Sequence, residues 1–238
     1  MEVDIIGTAL LDYFEGNYTE EIRTRTNITA EDLMPLPHLF RSYEEMPKVE
    51  QKALQLSRGR VLDVGCGAGI HALYLQEKGF RVTAIDTSPG AIEVCKRRNL
   101  NDARHIDILE LTGEKFDTIL LMMNGTGIFQ TLDKAPVYLK HLKSLLVPNG
   151  QILVDTTDLR YMYDSNPNGS IWVPADIPYY GQLTFTMKYK DLESEEFPWL
   201  YLDKKTFSEL ADTCGFNLKI VQEGAFFDYL GRLTPKTD

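Results

Sequence analysis

Seven residues constrain this 238-residue chain more than any others: Asp63-Val64-Gly65-Cys66-Gly67-Ala68-Gly69, inside the stretch from Arg60 to Asp86. Arg60 to Val64 reads as a short buried strand, because Val61, Leu62 and Val64 supply β-branched and apolar content. The glycines that follow let the backbone turn sharply and approach a ligand where a Cβ would obstruct it. Ile70 to Lys78 carries apolar residues at Ile70, Leu73, Tyr74 and Leu75, which suits a helix on a sheet, and Gly79 supplies its stop. Arg81 to Ile85 is a second strand, with Asp86 at its tip. An acid in that position accepts hydrogen bonds from both hydroxyls of a ribose. A nucleoside is therefore the expected ligand.

A dinucleotide site requires Gly-x-Gly-x-x-Gly, with the helix N-terminus facing a pyrophosphate. Here the third glycine, Gly69, comes one residue early, and Ile70 fills the place where that pattern needs a small residue. Asp63, just before the turn, would repel a pyrophosphate and favour a cation. S-adenosylmethionine has no phosphate and carries a sulfonium and an ammonium. The run Val61-Leu-Asp-Val-Gly-Cys-Gly-Ala-Gly69, followed by Ala84-Ile-Asp-Thr-Ser88, resembles the first two motifs of the class I S-adenosylmethionine-dependent methyltransferases. The likeness covers about Arg60 to Asp155 by motif and the remainder by layout.

That resemblance implies an α/β, Rossmann-like fold: a mostly parallel seven-stranded sheet with an antiparallel C-terminal strand and helices on both faces. It implies S-adenosyl-L-methionine as cofactor and no metal. Asp63, Gly65, Cys66 and Gly67 match the first motif, and Asp86 and Thr87 the second. Asp107 stands in a third strand, Ala103 to Ile108, where the family's acid bonds the exocyclic amine of adenine and a neighbouring amide, here that of Ile108, reads the ring. A fourth strand, Phe116 to Met123, is apolar nearly throughout, as a central parallel strand should be. In the family its end passes beside the transferred methyl, which makes Met123 a cofactor contact and Asn124 a catalytic candidate. The sequence departs there from the Asn/Asp-Pro-Pro-aromatic signature of enzymes that methylate amino groups on bases or on glutamine. Those acceptors are disfavoured. Asp155 and Asp158 follow a fifth strand, Gln151 to Val154, at the carboxyl edge where α/β folds bind ligands. They are substrate-side candidates, as a base or as partners for a cationic substrate. His71 is placed to touch the cofactor's methionine end, although a lone histidine is more often structural.

The formal charge of −10 argues against a partner bound through phosphates, so nucleic acid is not an expected partner. No run is long and apolar enough to span a bilayer, and Met1-Glu2-Val3-Asp4 lacks the basic start of a secretory signal. Three widely spaced cysteines make neither a disulfide framework nor a zinc site, and the chain is expected to be cytoplasmic. Residues 1–58 are expected to form a helical extension, with amphipathic helices over roughly the first fifteen residues and from Pro47 to Ser57. Its Tyr13, Phe14, Arg25, Phe40 and Tyr43 are candidates to shape the substrate pocket, with packing against the sheet the commoner role for such residues. Residues 59–238 form the methyltransferase domain, interrupted after the fifth strand by a β-containing insertion over about 159–202. Its tyrosines, and the alternating stretch from Leu183 to Lys190, suit a lid that holds the acceptor while cofactor contacts lie elsewhere. The expected activity is in-line methyl transfer to a small-molecule acceptor. The alternatives are an RNA or protein methyltransferase, a non-catalytic S-adenosylmethionine-binding protein, and, against Gly69 and Asp63, a nicotinamide-dependent oxidoreductase.

Overall fold

The computed structural model describes residues 3–166, 168, 170–175 and 177–236. Asp4 caps the first helix, α1 (Ile5–Glu15), by accepting the Gly7 N–H, and Gly16 ends it in the left-handed conformation. The charged stretch that follows forms β1 (Ile22–Thr26) and β2 (Asp32–Met34), an antiparallel pair, so the extension is not helical throughout. After α2 (Lys48–Leu56), strands and helices alternate: β3 (Arg60–Val64), α3 (Ile70–Glu77), β4 (Arg81–Asp86), α4 (Pro89–Arg97) and β5 (Ala103–His105). Next come β6 (Phe116–Leu121), α5 (Ala135–Ser144) and β7 (Leu146–Thr157). The insertion contributes β8 (Gln182–Tyr189), β9 (Leu192–Glu193) and β10 (Phe197–Leu200), and α6 (Lys204–Thr213), β11 (Phe216–Glu223) and β12 (Asp228–Pro235) close the chain.

Seven strands make the central sheet in the order β11-β12-β7-β6-β3-β4-β5. β3, β4, β5, β6 and β7 pair in parallel, and β12 runs antiparallel to both β7 and β11. Alternate residues of each central strand enter opposite layers, as the two-residue period requires. Leu62, Ile119 and Ile152 pack against α5 and α6, while Val61, Leu120 and Leu153 pack against α2, α3 and α4. Helices therefore cover both faces. The chain leaves β3 outward to β4 and β5, then returns to β6 on the other side, which opens a ligand-binding crevice at the carboxyl ends.

Several strand limits differ from the sequence expectation for local reasons. The third strand stops at His105, because Asp107 caps a 3-10 turn over Ile108–Glu110. The fourth stops at Leu121, because Met123 and Asn124 turn the chain at φ +63° and +58°. The fifth runs on to Thr157, because β12 pairs with it as far as Asp228. A second antiparallel sheet orders its strands β10-β8-β1-β2, with β9 on β8, and so joins the insertion to the N-terminal hairpin. Among the described residues no helix is long and apolar enough to cross a membrane.

α1 lies against α4 glycine to glycine. A Cβ on Gly90 would sit 2.6 Å from the Gly7 Cα and 2.7 Å from its carbonyl carbon, backbone that no rotamer can move. The Asp4 carboxylate also accepts the Ser88 hydroxyl and the Gly90 N–H, each at 2.9 Å. Gly90→Ala is expected to separate the two helices and destabilise the protein by about 1–3 kcal/mol, the usual cost of overpacking. Urea denaturation checks this, and an unchanged midpoint would show that the helices can part without loss.

Candidate active site

The carboxyl ends of β3, β4 and β6, and the loop after β5, frame a cavity of about 360 Å³. Its walls are Val64 and Gly65 of the glycine turn, Ile85, Asp86 and Thr87, then Ile106, Asp107 and Ile108, with Gly127, Ile128, Gln130 and Tyr138 opposite. Isoleucines and Val64 make an apolar slot between two acids, the chemistry of a planar base joined to a sugar. The Asp86 carboxylate is held from two sides: Oδ2 accepts the Gly67 N–H at 2.9 Å and Oδ1 the Ser88 N–H at 2.8 Å. Burial pushes its pKa up, against the lowering pull of those two amides. Asp107 is fixed by accepting the Leu109 N–H at 2.7 Å.

The remaining wall comes from the insertion: Phe197, Pro198 and Trp199 of β10. Trp199 reaches the cavity because Gly127 has no side chain, since a Cβ there would lie 1.8 Å from the indole. The Thr126 hydroxyl donates to the Leu200 carbonyl at 2.8 Å and shares a 2.7 Å hydrogen bond with Thr156, which accepts the Leu202 N–H. These bonds stitch β10 onto β7. The insertion thus lines the same cavity as Asp86 and Asp107, whereas the sequence expectation set cofactor contacts and lid apart.

A buried charge cluster lies on the α2 and α3 side of the glycine turn. Arg41 and Glu50 form an ion pair with side chains 3% and 4% exposed, and the His71 ring nitrogen lies 2.8 Å from Glu50. Burial pushes the Glu50 pKa up, but the His71 and Arg41 contacts outweigh it and hold the carboxyl below its usual range. Asp63 is buried beside them, and its Oδ2 has no hydrogen-bond partner among the described residues. Burial pushes its pKa up to about 6, although the His71 charge and the Ala72 N–H act the other way. The Arg41 Nε is likewise buried without a partner. An unsatisfied carboxylate oxygen and an unsatisfied guanidinium N–H match, in sign, the ammonium and carboxylate of an amino acid. With the nucleoside cavity next to them, these residues fit S-adenosylmethionine.

Of the residues singled out by sequence, Gly65, Asp86, Thr87, Asp107 and Ile108 meet in the cavity wall. Gly67 sits behind them, giving its N–H to Asp86, and Cys66 is buried with its sulfur 3.9 Å from that of Cys95. Met123 and Asn124 hold left-handed backbone at the end of β6, and the Asn124 side chain accepts the Thr157 hydroxyl at 2.8 Å. Asp155 accepts the Asn124 and Gly125 N–H groups at 3.2 and 3.5 Å, and burial pushes its pKa up to about 7. Asp158 caps a short turn and accepts the Tyr180 hydroxyl at 2.9 Å. None of Tyr13, Phe14, Arg25, Phe40 and Tyr43 lines the cavity; Tyr13 packs on Phe40, and Tyr43 stacks on Tyr74. Sequence reasoning missed Arg41, Glu50 and the β10 wall. Glu50 carried a readable signal, because it lies three and four residues before the inward-facing Ala53 and Leu54, on the apolar side of α2.

The family model for a methyltransferase domain matches residues 38–220. An S-adenosylmethionine-dependent methyltransferase from Bacteroides fragilis, solved with S-adenosyl-L-homocysteine, is 41% identical, with a TM-score of 0.91 over 98% of this chain and 95% of its own. The CcbJ methyltransferase from Streptomyces caelestis shares the fold at 14% identity, with a TM-score of 0.63 over 82% of this chain and 95% of its own. A ubiquinone biosynthesis O-methyltransferase from Pasteurella multocida is 31% identical over 126 residues, 45% of this chain and 50% of that protein. The chain thus matches about half the length of that curated relative. Domain match, full-length structural likeness and the geometry of the cavity agree: the chain belongs to the class I S-adenosylmethionine-dependent methyltransferases.

Proposed function

We propose that this protein transfers a methyl group from S-adenosylmethionine to a small organic acceptor. The observation that carries the reading is the pairing of one nucleoside cavity, walled by Asp86 and Asp107, with a buried, unsatisfied Asp63 oxygen beside it. When bound, the cofactor supplies a methyl group already activated on a sulfonium. The chain's own task is therefore alignment and exclusion of water. Asp86 holds the ribose in a carboxylate fixed by the Gly67 and Ser88 amides. Asp107 and the Ile108 amide read the base, while Gly65 and Gly67 let the backbone come close. Asp63 takes the ammonium, and Arg41 the carboxylate. Phe197, Pro198 and Trp199 cover the nucleoside from the insertion side. A net charge of −10, with no basic face drawn to the cavity, favours a small molecule over RNA as acceptor.

Calorimetry tests this. S-adenosylmethionine should bind and NAD should not. The sign of the pH dependence follows from Asp63: its pKa in the free protein is about 6, and the cationic ligand selects the carboxylate. Binding should therefore release a proton near pH 6, and affinity should rise as the pH goes from about 5 to 7. Preferential NAD binding would refute the function, and a flat pH profile would remove Asp63 from the site.

A further inference from the structure

Tyr138 is a buried phenol in the cavity wall with no part in the contacts of Asp86, Asp107 or Asp63. It lies on α5, is 5% exposed, and lines the cavity together with Asp107 and Gln130. The ring nitrogen of His141, one helical turn further on, lies 3.1 Å from the Leu111 carbonyl. Residues three apart share a helix face, so this contact sets Tyr138 against the short turn that Asp107 caps and Leu111 ends. Tyr138, Ile108 and Leu111 belong to one apolar cluster. The phenol therefore stands at the Asp107 end of the cavity.

A chain of three side chains fixes the direction of its hydrogen bond. Lys134 Nζ donates to Gln130 Oε1 at 2.8 Å, and an ammonium can only donate. The Gln130 amide nitrogen consequently faces Tyr138 and donates to its hydroxyl at 2.9 Å. Tyr138 is thus an acceptor toward Gln130, and among the described residues nothing accepts its own proton. Burial, then the Asp107 charge, push its pKa above the ordinary phenol value, so the proton stays in place at neutral pH. Gln130 is held for this role by its backbone. At φ +66° and ψ −70° it centres a γ-turn closed by the Thr131 N–H on the Phe129 carbonyl at 2.8 Å. That conformation is strained for a residue with a side chain. A buried donor without an acceptor is costly, and a ligand that supplies the acceptor removes the cost.

We propose that Tyr138 donates this hydrogen bond to N7 of the adenine of S-adenosylmethionine and that Gln130 is its positioning residue, a deepening that rests on the methyltransferase reading above. In that reading Asp107 takes the exocyclic amine and the Ile108 amide reads the ring. Both groups come from one turn, so they suit adjacent atoms of one edge, N6 and N1. N7 flanks the amine on its other side and is an acceptor. It suits a donor that a different element, α5, brings to the Asp107 end of the cavity. N3 lies across the ring, on the edge away from the amine. The base is then held on both flanks of its amine.

The test is calorimetry on the full-length protein with S-adenosylhomocysteine and its 7-deaza and 3-deaza analogues, in each of which a C–H replaces one ring nitrogen. Wild type should bind the 7-deaza analogue about five- to tenfold more weakly than the parent, and the 3-deaza analogue within about twofold of it. Tyr138→Phe should bind the parent about five- to tenfold more weakly and no longer distinguish it from the 7-deaza analogue. Gln130→Glu reverses the chain, because a carboxylate accepts from Lys134 and from Tyr138 alike, and so turns the phenol proton away from the base. It should also lose the 7-deaza discrimination, which a merely structural role for Gln130 would leave in place. Equal binding of the parent and the 7-deaza analogue by wild type overturns the proposal. So does discrimination against the 3-deaza analogue instead, or 7-deaza discrimination that survives in either variant. A wild type that binds none of the three overturns the methyltransferase reading, and this proposal with it.

Discussion

Glu50→Ala should destabilise the protein by about 3–5 kcal/mol, the cost of stripping one partner from a buried ion pair. The pair is nearly sealed, and Arg41 would keep only the His38 carbonyl as a partner. The Arg41 charge cannot be shed, because a guanidinium stays protonated in proteins. Glu50→Gln should lose less, since an amide oxygen still accepts from Arg41 and His71. A smaller loss, under about 1 kcal/mol for Glu50→Ala, would mean that water reaches Arg41. The pH dependence has a definite sign. Glu50 titrates below its ordinary value of 4.5 in the folded protein, so its contribution is present above that value and fades as acid protonates it. The gap between wild type and Glu50→Gln should therefore narrow as the pH falls below about 4.5.

Asp86→Ala should weaken S-adenosylmethionine binding by about 1.5–3 kcal/mol, roughly 10- to 150-fold, with the fold intact. Two effects combine. In the proposed site the carboxylate accepts the ribose hydroxyls, and it also holds the Gly67 N–H at 2.9 Å, so its loss frees the glycine turn. Asp86→Asn separates them, because the amide oxygen still accepts from Gly67 while the charge is gone. Calorimetry on both variants reads the split. Wild-type affinity in a folded Asp86→Ala would place the ribose elsewhere.

The elements that wall the cavity at β3 and β4 were legible because their signals are local. A strand, a glycine turn and a helix lie within twenty residues, and the glycines at φ +70°, +51° and +79° take conformations that side chains rarely adopt. Asp86 was reached from its place at the tip of β4, whereas Asp107 rested on the family resemblance and lies in the loop after β5. The N-terminal hairpin was not legible. Glu20 to Leu33 is charged and short of apolar alternation, and β1 is a strand because β8, some 160 residues later, offers it a partner: Arg23 pairs with Lys188 and Thr26 with Phe185. Strand propensity alone is too weak to announce such a pairing.

The sequence by itself determined most elements around the glycine turn, because apolar strands, helical stripes and glycine turns each act over a few residues. Its resemblance to the methyltransferase motifs carried the mostly parallel sheet; the strand order came from the structure. The tertiary structure alone decided which distant residues complete the site. Arg41, Glu50, His71 and Asp63 become one buried cluster only when α2 and α3 pack on the same face of β3. Trp199 becomes a wall of the cavity only because Gly127 leaves room for it and Thr126 and Thr156 fasten the strand behind it. Burial and pairing are properties of the packed chain. A carboxylate such as Asp63 or Asp155 reads as an ordinary acid in the sequence, and becomes a group titrating near neutrality once water is removed from around it.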